Sequence, residues 1–183
     1  MKNLVKITEK EFDVILDLRY ATHNNVCSRK LYTHPFCYLH EATIEPLRRV
    51  IESAKNLGFK IKIYDAFRPI EVQKYMFDMF PGGFVSNPEN GNIPHCRGVA
   101  IDLTLCDLNG KELDMGSDFD EFSDIAYHNN YKISTEAQRN RFILLGIMTS
   151  AGWSFLSKEW WHYQLPKPRD YEVAIASPDM IAI

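Results

Sequence analysis

The sequence lacks several features that mark whole classes of protein. Its apolar stretches are far shorter than the roughly 20 residues that span a bilayer, so we expect no membrane partner. With 21 basic and 24 acidic side chains, it has no basic stripe of the kind that binds nucleic acid. Residues 1–20 lack the apolar core of a secretory signal, which favours a cytoplasmic protein.

Paired cysteines are also missing. The four cysteines form no C-x-x-C motif, which excludes a zinc ribbon and a thioredoxin-type redox site; they stand at Cys27, Cys37, Cys96 and Cys106. We therefore expect free, partly buried thiols. A bridge between Cys27 and Cys37 would be expected only in an exported protein.

Several common catalytic fingerprints are absent. There is no Gly-rich dinucleotide motif, no phosphate-binding G-x-x-x-x-G-K-[ST] loop and no G-x-S-x-G nucleophile elbow. The pair His40-Glu41 is followed by Ile44 where the H-E-x-x-H zinc helix requires a second histidine. These enzyme classes are therefore disfavoured.

What is present predicts one folded domain over residues 1–183. Apolar residues make up 45% and aromatic residues 13% of the chain, which is enough to bury a core. The patterns predict helices over 44–57, from Pro69 to the 81–83 turn, and from Thr135 to about 151. They predict strands over 59–67, 98–105 and 158–165. This mixture favours an α+β fold with a small antiparallel sheet flanked by helices.

Two of the helices carry a candidate amino-terminal cap. Thr43 precedes the first helix, and Gly58 follows it as a stop signal. Thr135 opens the last helix with Gln138 three residues later, which is the spacing of a capping box.

Three segments hold the residues that could carry chemistry: 64–69 (YDAFRP), 95–102 (HCRGVAID) and 159–163 (EWWHY). Catalytic zinc typically takes three protein ligands from His, Asp or Glu and leaves a fourth position open. His95, Asp102 and His162 would supply this set. Gly98 would let the chain turn tightly between the first two.

Glu159 and Arg68 are the candidate catalytic side chains beside the metal. Residues three apart on a flat strand face opposite sides, so Glu159 and His162 converge only if Glu159 lies at the strand's entrance. Ser157 and Lys158 suggest a turn there. Glu159 would then be the general base, and Arg68 would stabilise the oxyanion.

Each of these residues has a simpler interpretation when it is taken alone. A histidine between aromatic residues, such as His162, is more often a hydrogen-bonded core residue. Asp65 and Arg68 are more often a surface ion pair, worth roughly 0–1 kcal/mol. Asp102 is harder to dismiss, because a carboxylate inside an apolar strand is costly unless a positive charge meets it.

Taken in order, the segments resemble a known family. Added to the three above, they include DLRYAT (17–22), MGSDFDEF (115–122) and GWSFLSKEWWHY (152–163), and they cover nearly the whole chain. Together they resemble the VanX-type D-alanyl-D-alanine dipeptidases. These belong to the zinc D,D-peptidases, which share a fold with the Hedgehog signalling domain.

The resemblance implies hydrolysis of D-Ala-D-Ala or a similar small D-amino-acid dipeptide, with one Zn²⁺ per chain. It implies the metal ligands, base and transition-state stabiliser already named: His95, Asp102, His162, Glu159 and Arg68. Asp120 matches the acid that meets the substrate's ammonium group, and Tyr20 lies near the same end. Further candidate substrate-binding residues in the matching segments are Tyr32, Asp65 and Trp160.

Two departures bear on substrate preference. Ile93 stands where the family usually has Ser, and residues 25–32 (NVCSRKLY) replace the usual N-F-x-G-x-P-L-Y. These changes leave the predicted metal site intact but put a strict preference for D-Ala-D-Ala in question.

The alternatives to a dipeptidase are a D,D- or L,D-carboxypeptidase acting on peptidoglycan stems and a non-catalytic zinc-binding module. Recycling of wall-derived D-alanine and glycopeptide resistance both stay open as roles.

Overall fold

A computed structural model describes residues 3–183 of the chain as a mixed α+β fold, which confirms the predicted class. The strands in this part are β1 (Leu4–Lys6), β2 (Ile15–Leu16), β3 (Tyr38–His40), β4 (Lys60–Asp65), β5 (Ala100–Cys106), β6 (Ser154–Leu156) and β7 (Glu159–Gln164). The α-helices are α1 (Glu9–Phe12), α2 (Ile44–Asn56), α3 (Ile70–Met79) and α4 (Thr135–Ser150).

The main sheet has five strands in the order β2-β4-β5-β7-β6. Strands β4, β5, β7 and β6 pair antiparallel, as the sequence predicted, but β2 joins β4 in parallel. A separate antiparallel pair, β1 with β3, was not predicted either. Strands of two or three residues are too short to show the alternation that identifies a strand.

The three predicted helices correspond to α2, α3 and α4. Thr43 occupies the N-cap position of α2, as predicted, but its side chain does not cap the helix. A 3-10 turn, Glu41–Thr43, leads into α2, and the Thr43 hydroxyl donates to the His40 carbonyl at 2.6 Å. The cap of α4 is Ser134, whose Oγ accepts from the amide of Ala137 at 3.0 Å. The cap therefore lies one residue before Thr135, and because Ala137 stands three residues after Ser134, the predicted capping box does not form.

Strand β5 is buried along its whole length, and helices α2 and α4 pack on the sheet. Because side chains alternate along a strand, Ile101, Leu103 and Leu105 face one side while Asp102 and Thr104 face the other. The carboxylate of Asp102 is thereby held rigidly inside the protein, 2% exposed.

The four cysteines are free and buried, as predicted. Burial raises the pKa of the Cys27 and Cys106 thiols to about 11 and that of Cys96 to about 12. Burial also raises the pKa of Cys37 far above its usual value.

Among the helices of residues 3–183, none is long and apolar enough to cross a membrane.

Candidate metal centre and active-site cavity

The sheet brings the three predicted metal ligands together. Asp102 on β5 and His162 on β7 are directly paired residues of the antiparallel ladder. His95 lies in a 3-10 turn, His95–Arg97, just before β5. All three side chains are buried, and their ligand atoms lie within 4.8 Å of one another.

Gly98 makes the turn between His95 and β5 possible. Its φ of +67° lies in the left-handed region that favours glycine. A Cβ at this position would lie 2.6 Å from the Leu4 side chain and 3.0 Å from the His40 amide nitrogen. The predicted need for glycine here therefore has a conformational and a steric reason.

The outer hydrogen bonds of the two histidines orient their lone pairs toward one point. His95 Nδ1 lies 2.7 Å from the carbonyl oxygen of Ala66, which can only accept, so Nδ1 carries the proton and Nε2 is free. His162 Nε2 lies 3.1 Å from Gln164 Oε1. When this nitrogen donates, Nδ1 of His162 is the free nitrogen. This is the outer-shell pattern that fixes histidine ligands in metal sites.

The inner atoms form a triangle of electron-pair donors. His95 Nε2 lies 3.2 Å from His162 Nδ1 and 3.3 Å from Asp102 Oδ2, and His162 Nδ1 lies 3.1 Å from Asp102 Oδ1. Neighbouring ligands in a tetrahedral zinc site, with bonds of about 2.0–2.1 Å, are about 3.3–3.4 Å apart. Three acceptors this close repel one another unless a cation lies between them, so the residues fit a divalent metal.

Glu159 is the first residue of β7, directly after the turn at 157–158, as its convergence with His162 requires. Its Oε2 lies 3.9 Å from His162 Nδ1. Burial raises the pKa of the Glu159 carboxyl to about 7, although the neighbouring His162 opposes this shift. A carboxyl with such a pKa can accept and release a proton near neutral pH.

Arg68 lies on the other side of the metal centre in a buried network. Its guanidinium donates to Asp65 Oδ2 from Nε at 3.0 Å and to Gln73 Oε1 from Nη1 at 3.0 Å. Its Nη2 lies 3.6 Å from Asp102 Oδ2. The Tyr32 hydroxyl donates to Asp65 Oδ1 at 2.8 Å. These contacts fix the direction of the guanidinium.

Asp120 lines the same cavity from a segment outside the sheet. Its Oδ2 accepts a hydrogen bond from the Tyr20 hydroxyl at 2.8 Å. Within residues 3–183 no cationic side chain lies within ion-pair distance of this carboxyl. Burial, together with the charge of Asp102, raises the pKa of the Asp120 carboxyl well above its usual value. The empty cavity therefore favours the neutral carboxyl, and a bound ammonium group would stabilise the charged carboxylate and lower its pKa.

The cavity wall contains most of the predicted site residues and excludes three. Those lining it are Tyr20, Arg68, His95, Asp102, Asp120, Glu159 and His162, with Ile93, Phe122 and Trp161 among the apolar residues. Tyr32, Asp65 and Trp160 do not line it. Tyr32 and Asp65 lie behind Arg68, and the Trp160 indole N–H donates to Ser117 Oγ at 2.9 Å.

Sequence reasoning missed the supporting residues Gln73 and Gln164. Gln73 accepts from Arg68 and donates to the Ser86 carbonyl at 2.8 Å, which links helix α3 to the cavity wall. Gln164 lies two residues after His162, so the two side chains share one face of β7. The spacing of two residues from His162 was the only sequence feature that could have identified Gln164 as a supporting residue. Because this spacing is common in strands, it does not single out a functional residue.

Comparisons with known proteins agree with this geometry. The family model described as D-ala-D-ala dipeptidase matches residues 1–177. A D-alanyl-D-alanine dipeptidase of Escherichia coli is 38% identical over 160 residues, which cover 87% of this chain and 82% of the relative. One from Enterococcus faecium is 31% identical over 184 residues, covering 85% and 89%. One from Enterococcus faecalis is 28% identical, covering 85% and 89%. The chain therefore belongs to the D-Ala-D-Ala dipeptidase family of peptidases, as its sequence motifs predicted.

Proposed function

We propose that this protein is a zinc-dependent dipeptidase that hydrolyses D-Ala-D-Ala or a similar small D-amino-acid dipeptide. The observation that carries the proposal is the cavity itself. A His-Asp-His donor set and a glutamate, all buried, line it together with Asp120, a half-buried acid that has no cationic partner within residues 3–183. The family and the names of its relatives supply the substrate class.

His95, Asp102 and His162 would hold the metal, one ion per chain. A bound Zn²⁺ would supply a water of lowered pKa and polarise the carbonyl that is attacked. The chain's own contribution is to fix the ligands. The Ala66 carbonyl and the Gln164 amide oxygen orient the two imidazoles, and the β5–β7 ladder fixes Asp102 opposite His162.

Glu159 acts as the general base in this proposal. It accepts a proton from the attacking water as the water's oxygen bonds to the peptide carbon. It then delivers that proton to the amine that leaves when the C–N bond breaks, so the reaction is balanced without another proton donor. Its position beside His162 and its pKa near 7 both support this role.

Arg68 stabilises the negative charge that develops on the carbonyl oxygen. Asp65 holds the guanidinium through Nε and Nη2, at 3.0 and 2.9 Å, and Gln73 holds Nη1, so the side chain is already ordered with Nη2 3.6 Å from Asp102 Oδ2. The proposal therefore gives Asp65 and Tyr32 a supporting role behind Arg68. They were predicted as substrate-binding residues, and they do not reach the cavity.

Asp120 binds the substrate's ammonium group, and the Tyr20 hydroxyl orients the carboxylate. In a dipeptide the free amino group belongs to the residue whose carbonyl is attacked, so an acid that lines the same cavity as the metal ligands favours a substrate with an ammonium group next to the scissile bond. Longer chains would have to place a neutral amide against this carboxylate, which leaves a buried charge unpaired. This argument favours a dipeptidase over a D,D- or L,D-carboxypeptidase.

Two broader statements belong to the proposal. We infer that residues 1–183 form a single domain with the fold that the zinc D,D-peptidases share with the Hedgehog domain. The support is that β4, β5 and β7 lie side by side in one sheet and contribute Asp65, Asp102 and His162 in one row. A non-catalytic zinc module on that fold is disfavoured, because a structural site needs neither Glu159 nor Arg68.

The test is hydrolysis by the purified, zinc-loaded protein. The substrates are D-Ala-D-Ala, L-Ala-D-Ala, D-Ala-D-Ser, N-acetyl-D-Ala-D-Ala and a wall pentapeptide. We expect turnover of the free D,D-dipeptides and little or none of the acetylated dipeptide and the pentapeptide. Removal of the metal with a chelator is expected to abolish turnover, and Zn²⁺ to restore it. Preferred cleavage of the pentapeptide would favour the carboxypeptidase, and inactivity on every substrate would reject the proposal.

A further inference from the structure

The segment 107–134, which carries Asp120, is held by one arginine of helix α4. The Arg141 side chain is fully buried, 0% exposed. It donates from Nε to the Met115 carbonyl at 2.6 Å, from Nη1 to the Tyr127 carbonyl at 2.8 Å, and from Nη2 to the Ile125 carbonyl at 2.9 Å and Ser117 Oγ at 3.4 Å. This single guanidinium therefore joins four residues of the segment.

No carboxylate forms an ion pair with Arg141 within the described chain. Carbonyl dipoles solvate its charge instead, and although burial lowers the pKa of Arg141 to about 10, the group stays charged at neutral pH. The guanidinium is planar and presents five N–H donors in a fixed fork. A buried charge in this arrangement is costly unless the acceptors keep their positions, so the arginine and the segment fix each other.

The contacts of Arg141 lie on both sides of Asp120 in the chain. Met115 and Ser117 come before it, and Ile125 and Tyr127 come after it. Asp120 itself has a φ of +60°, a conformation that non-glycine residues rarely adopt and that the surrounding structure must impose. The four contacts of Arg141, which we call the clamp, therefore lie on both sides of Asp120, whose carboxyl lines the cavity.

A second contact ties the segment to the sheet that carries the metal ligands. The Trp160 indole on β7 donates to Ser117 Oγ at 2.9 Å, and the Arg141 guanidinium lies 5.8 Å from the centre of the same ring. His162 follows two residues later on that strand. Arg141, Ser117 and Trp160 thus connect the two ends of the cavity through one short chain of contacts.

We propose that Arg141 is a positioning residue that fixes Asp120 at a set distance from the metal centre and thereby determines the preference for dipeptides with a free amino group. The inference rests on the proposed function, since it assigns the ammonium to Asp120. Arg141 itself does not line the cavity and touches no reacting atom. Because its contacts with the segment lie on both sides of Asp120, its loss is expected to affect substrate binding and selectivity more than the chemical step.

The test compares Arg141→Lys with wild type in the zinc-loaded protein. Lysine keeps the charge but has no planar fork, so it cannot bond to carbonyls on both sides of the segment. We expect the KM for D-Ala-D-Ala to rise about tenfold, the kcat to change less than about threefold, and the discrimination against N-acetyl-D-Ala-D-Ala to fall by a similar factor.

A double-mutant cycle with Asp120→Asn separates positioning from general loosening of the fold. Once Asp120 has lost its charge, Arg141→Lys is expected to have almost no further effect on KM or on selectivity. Additive effects in the cycle, or a fall in kcat with KM unchanged, would overturn the inference. Inactivity of the wild type on every dipeptide would reject the proposed function and this inference with it.

Two further variants keep the test decisive if Arg141→Lys folds poorly. Ser117→Ala removes the hydroxyl that accepts from both Arg141 and Trp160, and we expect a few-fold rise in KM for D-Ala-D-Ala. No change in KM or selectivity would overturn the inference.

The matched control is Arg49→Lys. Arg49 also donates to a backbone carbonyl, that of Ala151 at 3.0 Å, but it lies on α2, outside the cavity wall. Its KM and selectivity are expected to equal those of wild type.

Discussion

The two ends of the cavity are built in different ways. The candidate metal ligands Asp102 and His162 are paired residues of neighbouring strands, so the backbone ladder sets their separation directly. Asp120 lies in the long segment between β5 and α4, in a strained backbone conformation, and its position depends on side-chain contacts from Arg141 and Trp160. The sheet fixes the candidate metal site, which we call the sheet end of the cavity. Side-chain contacts from Arg141 fix Asp120, which we call the clamped end.

This difference predicts that the two properties can be separated by mutation. Changes at the sheet end are expected to remove turnover for every substrate. Changes at the clamped end are expected to alter which substrate is accepted while the chemical step persists. A segment held by a few side chains is also easier to reshape than a ladder between two central strands, so selectivity can vary on a constant metal centre.

The largest effect is expected from Glu159→Gln at the sheet end. The amide keeps the shape of the side chain but cannot accept the proton from the attacking water. We expect kcat to fall by about 10²–10⁴ for all dipeptides, with zinc content per chain unchanged. Steady-state kinetics and metal analysis check this. Loss of zinc would instead make Glu159 a metal ligand and contradict its role as base.

Asp120→Asn is the matching change at the clamped end. Asparagine tolerates the positive φ of this position, so the backbone strain is not increased. Loss of the charged hydrogen bond to the ammonium, about 1.5–3 kcal/mol, predicts a rise in KM of about 10–150-fold for free dipeptides. The KM for N-acetyl-D-Ala-D-Ala is expected to stay constant or to fall. An equal rise in KM for the free and the acetylated dipeptide would show that Asp120 does not bind the amino group.

Acid is expected to destabilise the fold through His128, near the carboxyl end of the same segment. His128 packs against Phe155 and Tyr163, and within residues 3–183 neither ring nitrogen has a hydrogen-bond partner. Burial lowers the pKa of His128 to about 4. The unfolded chain, with a histidine pKa of about 6.5, therefore binds the proton first, and stability falls as the pH drops from about 6.5 to about 4.

Denaturant unfolding as a function of pH measures this effect. We expect a loss of about 2 kcal/mol from His128 at pH 5 relative to pH 7. His128→Phe keeps the aromatic contacts and is expected to remove this part of the pH dependence. The exposed His23 provides the control, since His23→Gln is expected to leave the pH dependence as in wild type. An unchanged slope in His128→Phe would assign the acid sensitivity to another group.

The smallest effect is expected from Ile93→Ser. Ile93 is buried in the cavity wall, at the position where the family resemblance implies a serine. A hydroxyl at this position is expected to add a hydrogen bond to substrate worth about 1 kcal/mol, which lowers the KM for D-Ala-D-Ala about fivefold. A rise in KM would show that this protein uses the apolar side chain to bind a different dipeptide.

Much of the sheet end could be predicted from the sequence, because strand alternation and motif spacing are local signals. The motif of His95 and Asp102 begins at a tight glycine turn, and Glu159 lies at the entrance of its strand, as its convergence with His162 requires. The short strands β1, β2, β3 and β6 were not predicted, because their pairing depends on distant partners rather than on their own pattern.

The clamped end could not be predicted. An arginine in a helix such as α4 is usually a solvated surface charge, and the sequence gives no sign that Arg141 is buried against carbonyl groups of a segment 14–26 residues before it. Trp160 was predicted to touch the substrate because it lies in the motif beside His162. It instead faces Ser117, one layer behind the cavity.

The buried cysteines give this fold a property unrelated to catalysis. Thiols react as thiolates, and all four are held in the protonated form by burial that raises their pKa. We therefore expect the native protein to resist alkylation and oxidation at every cysteine, whereas the unfolded chain would expose all four thiols. The rate at which a thiol reagent modifies each cysteine would report the local opening of its surroundings, without any introduced label.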